Sequence, residues 1–471
     1  MNRLQVLLAA LVLMIGPAVV SGQVVREKYQ PMAGLLRIGP EPDRAIELTD
    51  KGYTLILPAA GRPAGIAVFF DGWRVAVSEG MPPAGTFDHA ALSRGVGILR
   101  LTTGNPLDFY FDDATLRSVT DRIQRVLTSH QLEDVPLYFA GLSLGGTRAL
   151  KLMVFLKQHP GEFWIAPTAV AVVDAPLDMA RLWRAEQRAI QRAFNPTAAD
   201  EGRWVSYLLE TNLGGPPDQE FDRYVQYSPF TYSAPAGRGG NAFFLRDIPI
   251  RAYHEPDVDW WIQNRRKDYY GMNSIDLAAL INELKLQGND RAELITTYRA
   301  REGVGEGSSP HTWSFVDNAD LVAWFLSQPV AVAGADTRPV TAEVKAACAA
   351  IDTIVREVTG WDIDRFDGKV FDDPARSWRR GCRVVASGPT ASLDETSDPA
   401  ERLRMGLTAL GWTDVLDYSA DGPGTTAYAF RTGQVLCVVS AGAPSYLADD
   451  GEIVVAEWYE VDAGCFIDPT P

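Results

Sequence analysis

The chain has 471 residues, enough for two or three domains and a sizeable buried core. Hydrophobic residues make up 46% and charged residues 22%, a globular balance that excludes a disordered, collagenous or polytopic membrane chain. Forty-four basic against sixty acidic side chains leave a formal charge of −16, which argues against nucleic acid and anionic lipid as partners.

Residues 1–22 have the pattern of an export signal: Asn2-Arg3 supplies positive charge, Leu4 to Val20 is apolar apart from Gln5, and Val20-Ser21-Gly22 is a small-residue cleavage site. The mature chain is therefore expected to begin near Gln23 and to be periplasmic or secreted. No later segment has the ~18 uninterrupted apolar residues of a membrane span, so no stable span is expected after signal cleavage.

From about Ile46 to Trp324, short β-branched runs alternate with longer helical periodicities, as in a mainly parallel sheet with helices on both faces. Strands are expected around 53–57, 66–70 and 97–101. A helix follows from Asp113 to His130, its apolar Leu116, Val119, Ile123, Val126 and Leu127 at helical spacing. Next come a buried strand over 136–140, a helix over 145–158 and a second buried strand over 169–173. About 177–245 breaks the alternation with aromatic and arginine-rich helical segments, then Pro216-Pro217 and the loop Gly237-Arg-Gly-Gly240, and reads as an inserted cap. Strands over 248–253 and 292–298, with helices over 274–287 and 317–326, complete the α/β domain, assigned to residues 23–328.

Residues 329–340 read as a linker, and 341–471 as a small α+β domain. Its helices are expected over 341–358 and 399–410, with extended runs at 383–386, 426–430 and 435–439. It holds every cysteine: Cys348, Cys382, Cys437 and Cys465. Two disulfides fit an exported chain; of the three connectivities, Cys348–Cys382 with Cys437–Cys465 closes the shorter loops. A zinc site is disfavoured, because no Cys-x-x-Cys spacing occurs and no histidine follows His311. No other metal or cofactor is indicated: the acidic run Asp362 to Asp373 lacks calcium-loop spacing, and neither a phosphate-binding loop nor a dinucleotide fingerprint is found.

The chemistry points to Gly141-Leu-Ser-Leu-Gly145, placed between a strand and a helix as a nucleophile elbow requires. Ser143 is then the nucleophile, held on a sharp turn that leaves little room for side chains two residues away. It needs a base, and there are five histidines. His89, His130 and His159 fall in a connection or at helix ends, and His254 lies too close to the acid position. His311 follows the last core strand and precedes the last helix, which makes it the candidate base. For the acid, Glu255, Asp257 and Asp259 follow the penultimate strand; Asp257 is preferred, Asp259 is the alternate, and one of them is expected to cap the helix at Trp260-Trp261, a role that suits Asp259 better.

The order Ser143, Asp257, His311 resembles that of the α/β-hydrolase superfamily, over roughly Ile46 to Leu326. The segments 257–273, 289–294 and 310–315 are similar to a group of poorly characterised bacterial hydrolases. The resemblance implies an oxyanion hole formed by the Leu144 amide and by Gly72 or Trp73 in Phe69-Phe-Asp-Gly-Trp73. Trp183, Trp204, Tyr207, Trp260 and Trp261 either line an acyl or aryl pocket or pack the core.

The expected activity is therefore that of an exported serine hydrolase acting on a small-molecule or polymer-borne carboxylic ester through an acyl-enzyme. A prolyl-oligopeptidase-type peptidase is one alternative, although no propeller repeats precede the catalytic segment. An envelope binding or adhesion protein with a vestigial hydrolase fold is another. In that case the C-terminal domain carries the envelope or protein partner.

Overall fold

The computed structural model describes residues 23–471 apart from 42, 60, 78–79, 236–238, 299–308, 330–339, 373–376, 391–392, 394–397, 423, 444, 448–452, 456–457 and 469–471. The expected signal, nearly all of the linker and the tip of the Gly237 loop lie outside the described residues.

In chain order the larger unit contains β1 (Gln23–Gln30), β2 (Leu35–Arg37), β3 (Ala45–Glu47), β4 (Lys51–Pro58), β5 (Gly65–Phe70), α1 (Phe87–Ser93), β6 (Val96–Thr102), α2 (Asp113–Ser129), β7 (Leu137–Leu142), α3 (Leu144–Gln158) and β8 (Ala169–Val173). It continues with α4 (Met179–Arg192), α5 (Pro196–Leu213), α6 (Phe221–Tyr227), β9 (Ile250–His254), α7 (Val258–Arg265), α8 (Ser274–Leu286), β10 (Ala292–Thr296) and α9 (Asn318–Ser327).

Eight strands form one sheet in the order β1-β4-β6-β5-β7-β8-β9-β10. The run from β6 to β10 is parallel, whereas β4 is antiparallel to both β6 and β1. β1 escaped the sequence reading because Gln23-Val-Val-Arg-Glu-Lys-Tyr-Gln30 is largely polar, as suits an edge strand with no buried stretch.

Strand residues alternate between two cores. Val68, Phe139, Val170 and Ala252 face a core closed by α2, α3 and α8. Their neighbours Ala67, Tyr138, Ala171 and Tyr253 face a second core closed by α1 and α9. The period of two along each strand thus produces the helix-on-both-faces architecture that the sequence predicted. On α2 all five residues of the expected apolar stripe are buried, each contributing roughly 1.5–3 kcal/mol. Asp112 caps its N-terminus by accepting from the Thr115 N–H.

α4, α5 and α6 form the cap, whose core of Met179, Leu182, Leu208, Leu209 and Tyr224 also takes in Phe109 and Phe111 from the segment between β6 and α2. A buried ion pair ties it to the sheet domain. Arg181 on α4 donates from Nε and Nη2 to the two carboxylate oxygens of Asp276 on α8, at 2.8 and 2.5 Å. Asp276 also accepts from the Leu177 and Asp178 amides, so both charges are compensated where water is excluded.

The smaller unit comprises α10 (Ala342–Thr359), β11 (Ile363–Asp372), β12 (Ser377–Pro389), α11 (Pro399–Ala409), β13 (Thr413–Asp414), β14 (Ala420–Gly422), β15 (Thr425–Thr432), β16 (Val435–Gly442), β17 (Ser445–Leu447), β18 (Ile453–Val455) and β19 (Trp458–Ile467). An antiparallel sheet in the order β11-β12-β19-β16-β15-β13 packs against α10 and α11 through Val344, Ile351, Leu403, Leu407, Val384, Val439 and Val461. Both disulfides adopt the short-loop pairing: Cys348–Cys382 staples α10 to β12, and Cys437–Cys465 joins the neighbouring strands β16 and β19. Arg125 of α2 meets Glu460 of β19 at 2.6 Å across the two units.

Candidate active site

The turn between β7 and α3 carries Ser143 at φ 54°, ψ −128°, a backbone conformation that costs a serine of order 1–3 kcal/mol. The surrounding structure enforces it. The Ser143 N–H donates to Val173 O of the adjacent strand at 2.9 Å, and its carbonyl accepts from the Gly146 and Thr147 amides as α3 begins. Glycine is required at 141, where an added Cβ would lie 2.2 Å from the Gly145 carbonyl carbon. At 145 the space is less restricted, since a Cβ there would meet Phe70 O at 3.2 Å. Leu144 is the first residue of α3, so its N–H precedes the helical ladder.

Ser143 and His311 line one cavity of about 1090 Å³, bounded by the Phe70–Trp73 loop, the elbow, the loop around Leu107 and the cap residues Leu182, Trp204 and Val205. His311 Nδ1 is 2.6 Å from Asp174 Oδ2. This corrects the expected acid: the carboxylate on the histidine is Asp174, the residue directly after β8, and not Asp257 or Asp259 after β9. Asp257, 4% exposed, is the N-cap of α7, accepting from the Trp260 N–H at 3.1 Å. The capping role assigned to Asp259 therefore belongs to Asp257, and Asp259 sits in the first turn of α7. None of Asp174, Asp257 and Asp259 is among the described residues that line the cavity, which the acid side meets only through His311.

Asp174 is placed by the sheet. β8 runs parallel to β7, so its C-terminal end emerges beside the elbow, and Asp174 N–H donates to Tyr253 O while Asn273 Nδ2 donates to Asp174 O. Asp174 also has a positive φ of 40°, uncommon for a residue with a side chain. Burial lowers the His311 pKa, but the hydrogen bond and negative charge of Asp174, helped by Glu201 and opposed by Lys267, outweigh it and leave the imidazole above its ordinary value. Lys267 is itself held by Glu186 of α4, at 2.9 Å.

The other histidines are accounted for. His254 is buried with Nε2 2.6 Å from Thr296 Oγ1, and burial lowers its pKa. His89 sits in α1 with Nδ1 3.0 Å from Pro82 O, while His130 and His159 end α2 and α3.

Beside the elbow, the Asp71 N–H is spent on Leu101 O at 2.8 Å, and among the described residues no acceptor occupies the Gly72 or Trp73 amide. Gly72 and Trp73 both line the cavity, and Trp73 is 63% exposed. Of the five aromatics suggested for a pocket, Trp204 and Trp261 line the cavity. Trp183 and Tyr207 pack in the cap, and Trp260 stands edge-on to Trp261 at 5.1 Å.

Among the described residues no cluster of His, Cys, Asp or Glu is suited to a metal, and no helix is long and apolar enough to cross a membrane. The helix-flanked, mostly parallel sheet and the strand–turn–helix elbow together make an α/β-hydrolase-type fold.

No protein-family model and no curated protein matches the chain. Solved structures with remote likeness include a carboxyl esterase of the fungus Tuber melanosporum, at 13% identity over 66% of this chain and 87% of that one, with a TM-score of 0.39. A thermostable esterase of Pseudomonas putida matches at 12% identity over 65% and 81%, with a TM-score of 0.37. An acylaminoacyl peptidase of Pyrococcus horikoshii matches at 11% identity over 65% and 41%, also with a TM-score of 0.37.

Proposed function

We propose that this chain is an exported serine hydrolase that cleaves a carboxylic ester, or a related acyl bond, through an acyl-enzyme on Ser143. The observation that carries the reading is the 2.6 Å contact between His311 and buried Asp174, with His311 lining the cavity that also holds Ser143 on its strained turn.

The chemistry follows from these groups. A serine hydroxyl is a poor nucleophile, so neutral His311, its Nδ1–H directed at Asp174, accepts the Ser143 proton on Nε2 as Oγ attacks the carbonyl carbon. The imidazolium is stabilised by the Asp174 carboxylate. Negative charge moves to the carbonyl oxygen, for which the Leu144 N–H and that of Gly72 or Trp73, residues that line the cavity, are the proposed donors. Collapse expels the alcohol, which takes the proton from His311. Water then enters and gives a proton to His311 as its oxygen attacks the acyl carbon, and collapse expels Ser143 Oγ, which takes that proton back as the acid is released. The two disulfides support the exported part of the reading, since such bonds persist in oxidising compartments.

The test is labelling by a fluorophosphonate probe with parallel assays on p-nitrophenyl esters and aminoacyl p-nitroanilides. Labelling of the folded protein, lost in Ser143→Ala, with ester turnover is expected. Turnover of anilides alone would move the assignment to a peptidase. A folded protein that is neither labelled nor active, and whose biological effect survives Ser143→Ala, would leave the adhesion reading instead.

A further inference from the structure

Arg148, on α3 one turn beyond Gly145, is among the largest fully buried side chains, with 2% of its surface exposed. A buried guanidinium is expected to face a carboxylate, because an uncompensated charge in the interior is costly. Here its bonds go to three backbone carbonyls: Nε to Asp108 O at 2.6 Å, Nη1 to Phe70 O at 3.2 Å and Nη2 to Pro106 O at 3.0 Å. Its plane also lies over the Tyr110 ring, 5.5 Å from the centroid.

Those carbonyls belong to the two loops that flank Gly72. Phe70 O belongs to the last residue of β5, two positions before Gly72. Pro106 O lies against Gly72 from the other side, so close that a Cβ on Gly72 would come within 2.8 Å of it. One planar fork therefore spans the joint between the Asp71–Trp73 loop and the 106–108 loop. It is anchored in the same helix whose first amide, Leu144, is the other oxyanion donor.

The geometry points to Arg148 as a positioning residue for the oxyanion hole, fixing the Gly72–Trp73 amides relative to the Leu144 amide. This rests on the serine hydrolase reading above. A hydrogen bond to an oxyanion requires its donor within about 2.7–3.1 Å of where the charge forms, so a loop displaced by an ångström loses stabilisation in the transition state rather than in substrate binding.

The experiment compares Arg148→Met and Arg148→Lys with wild type in p-nitrophenyl ester hydrolysis, fluorophosphonate labelling rate and inhibition by an alkyl trifluoromethyl ketone, whose adduct on Ser143 carries an oxyanion. Each variant is assayed below its melting transition, as followed by circular dichroism. Arg148→Met is expected to lower kcat by about 100-fold, in the range of a lost oxyanion donor, with KM changed less than about threefold. The trifluoromethyl ketone should weaken in parallel with kcat/KM, while a product alcohol binds as before. Arg148→Lys keeps the charge but cannot span three carbonyls, and should stay nearer to Met than to wild type.

Should the Met variant not fold, Arg148→Lys and Arg148→Gln carry the test with the same expected split. Unchanged kcat and ketone affinity in the folded variants, full recovery in Arg148→Lys, or a rise in KM alone would each overturn the inference. A wild-type protein that neither labels nor turns over ester would instead remove the serine hydrolase reading.

Discussion

Asp174 Oδ2 and His311 Nδ1 meet at 2.6 Å across 137 residues of sequence, joining the end of β8 to the segment between β10 and α9. The pairing brings to the histidine a carboxylate outside the group Glu255, Asp257 and Asp259 expected from the sequence. Asp174→Asn should lower kcat for a p-nitrophenyl ester by about 10⁴-fold, because the amide favours the wrong imidazole tautomer and cannot stabilise its charged form. Asp257→Asn should remain within a few-fold of wild type and lose at most about 1 kcal/mol from a weakened α7 cap. Steady-state kinetics and urea unfolding of both variants check this. An equal kinetic loss in the two would make Asp257 part of the catalytic relay.

The same contact sets a pH dependence. Burial pulls the His311 pKa down, but Asp174 and the field of Glu201 raise it above its ordinary value of ~6.5. The base must be neutral to accept the Ser143 proton, so kcat/KM should rise with pH along an acid limb centred above ~6.5. Glu201→Gln should move that midpoint down without altering the plateau by more than a few-fold. The stability contribution has the opposite sense. With the folded pKa above the unfolded one, the stabilisation is full below the unfolded value and is lost as pH rises through the folded value. Thermal melts of Ser143→Ala across the same interval should follow that trend relative to an Asp174→Asn background.

The sheet, its two helical layers, the cap and the elbow were readable because each depends on local pattern: buried runs of β-branched residues, helical apolar stripes, and glycine where a side chain would collide. Asp174 was not. It lies inside Val173-Asp-Ala-Pro176, directly after a strand already assigned as buried, and the competing cluster Glu255, Asp257, Asp259 had three carboxylates to offer. The available signal was a carboxylate at the C-terminal end of a parallel core strand adjoining the nucleophile's own, where such sheets collect functional groups. Arg148 was invisible for a different reason. A cation at helical spacing on α3 reads as solvent-facing unless three distant carbonyls are known to converge on it.

The Arg181–Asp276 pair predicts a large stability effect away from the chemistry. Both side chains are more than nine-tenths buried, and Asp276 also holds the Leu177 and Asp178 amides at the start of the cap. Asp276→Ala leaves the guanidinium buried without its bidentate carboxylate, which should cost roughly 3–5 kcal/mol in urea unfolding. Replacing both partners, Arg181→Met with Asp276→Leu, should recover part of that loss. If the double variant is no more stable than Asp276→Ala, the penalty arises from the amides rather than from the stranded charge.

The confinement of both disulfides to the smaller unit predicts that redox state and catalysis are separable. The Cys348–Cys382 and Cys437–Cys465 bridges span 34 and 28 residues of sequence, and loops of that size correspond to about 3–4 kcal/mol each in the chain-entropy account. Cys348→Ser with Cys382→Ser also removes the covalent link between α10 and β12 from the core of a domain that is small to begin with. Its melting transition should fall by several degrees or more, as should that of wild type in dithiothreitol. The larger unit has no cysteine in its expected span 23–328 and closes its sheet with its own two cores. Calorimetry should therefore resolve a redox-sensitive and a redox-insensitive transition, with ester hydrolysis following the second. Loss of activity in step with the first transition would mean that the smaller unit, through contacts such as Arg125–Glu460, is needed to hold the catalytic domain in its working form.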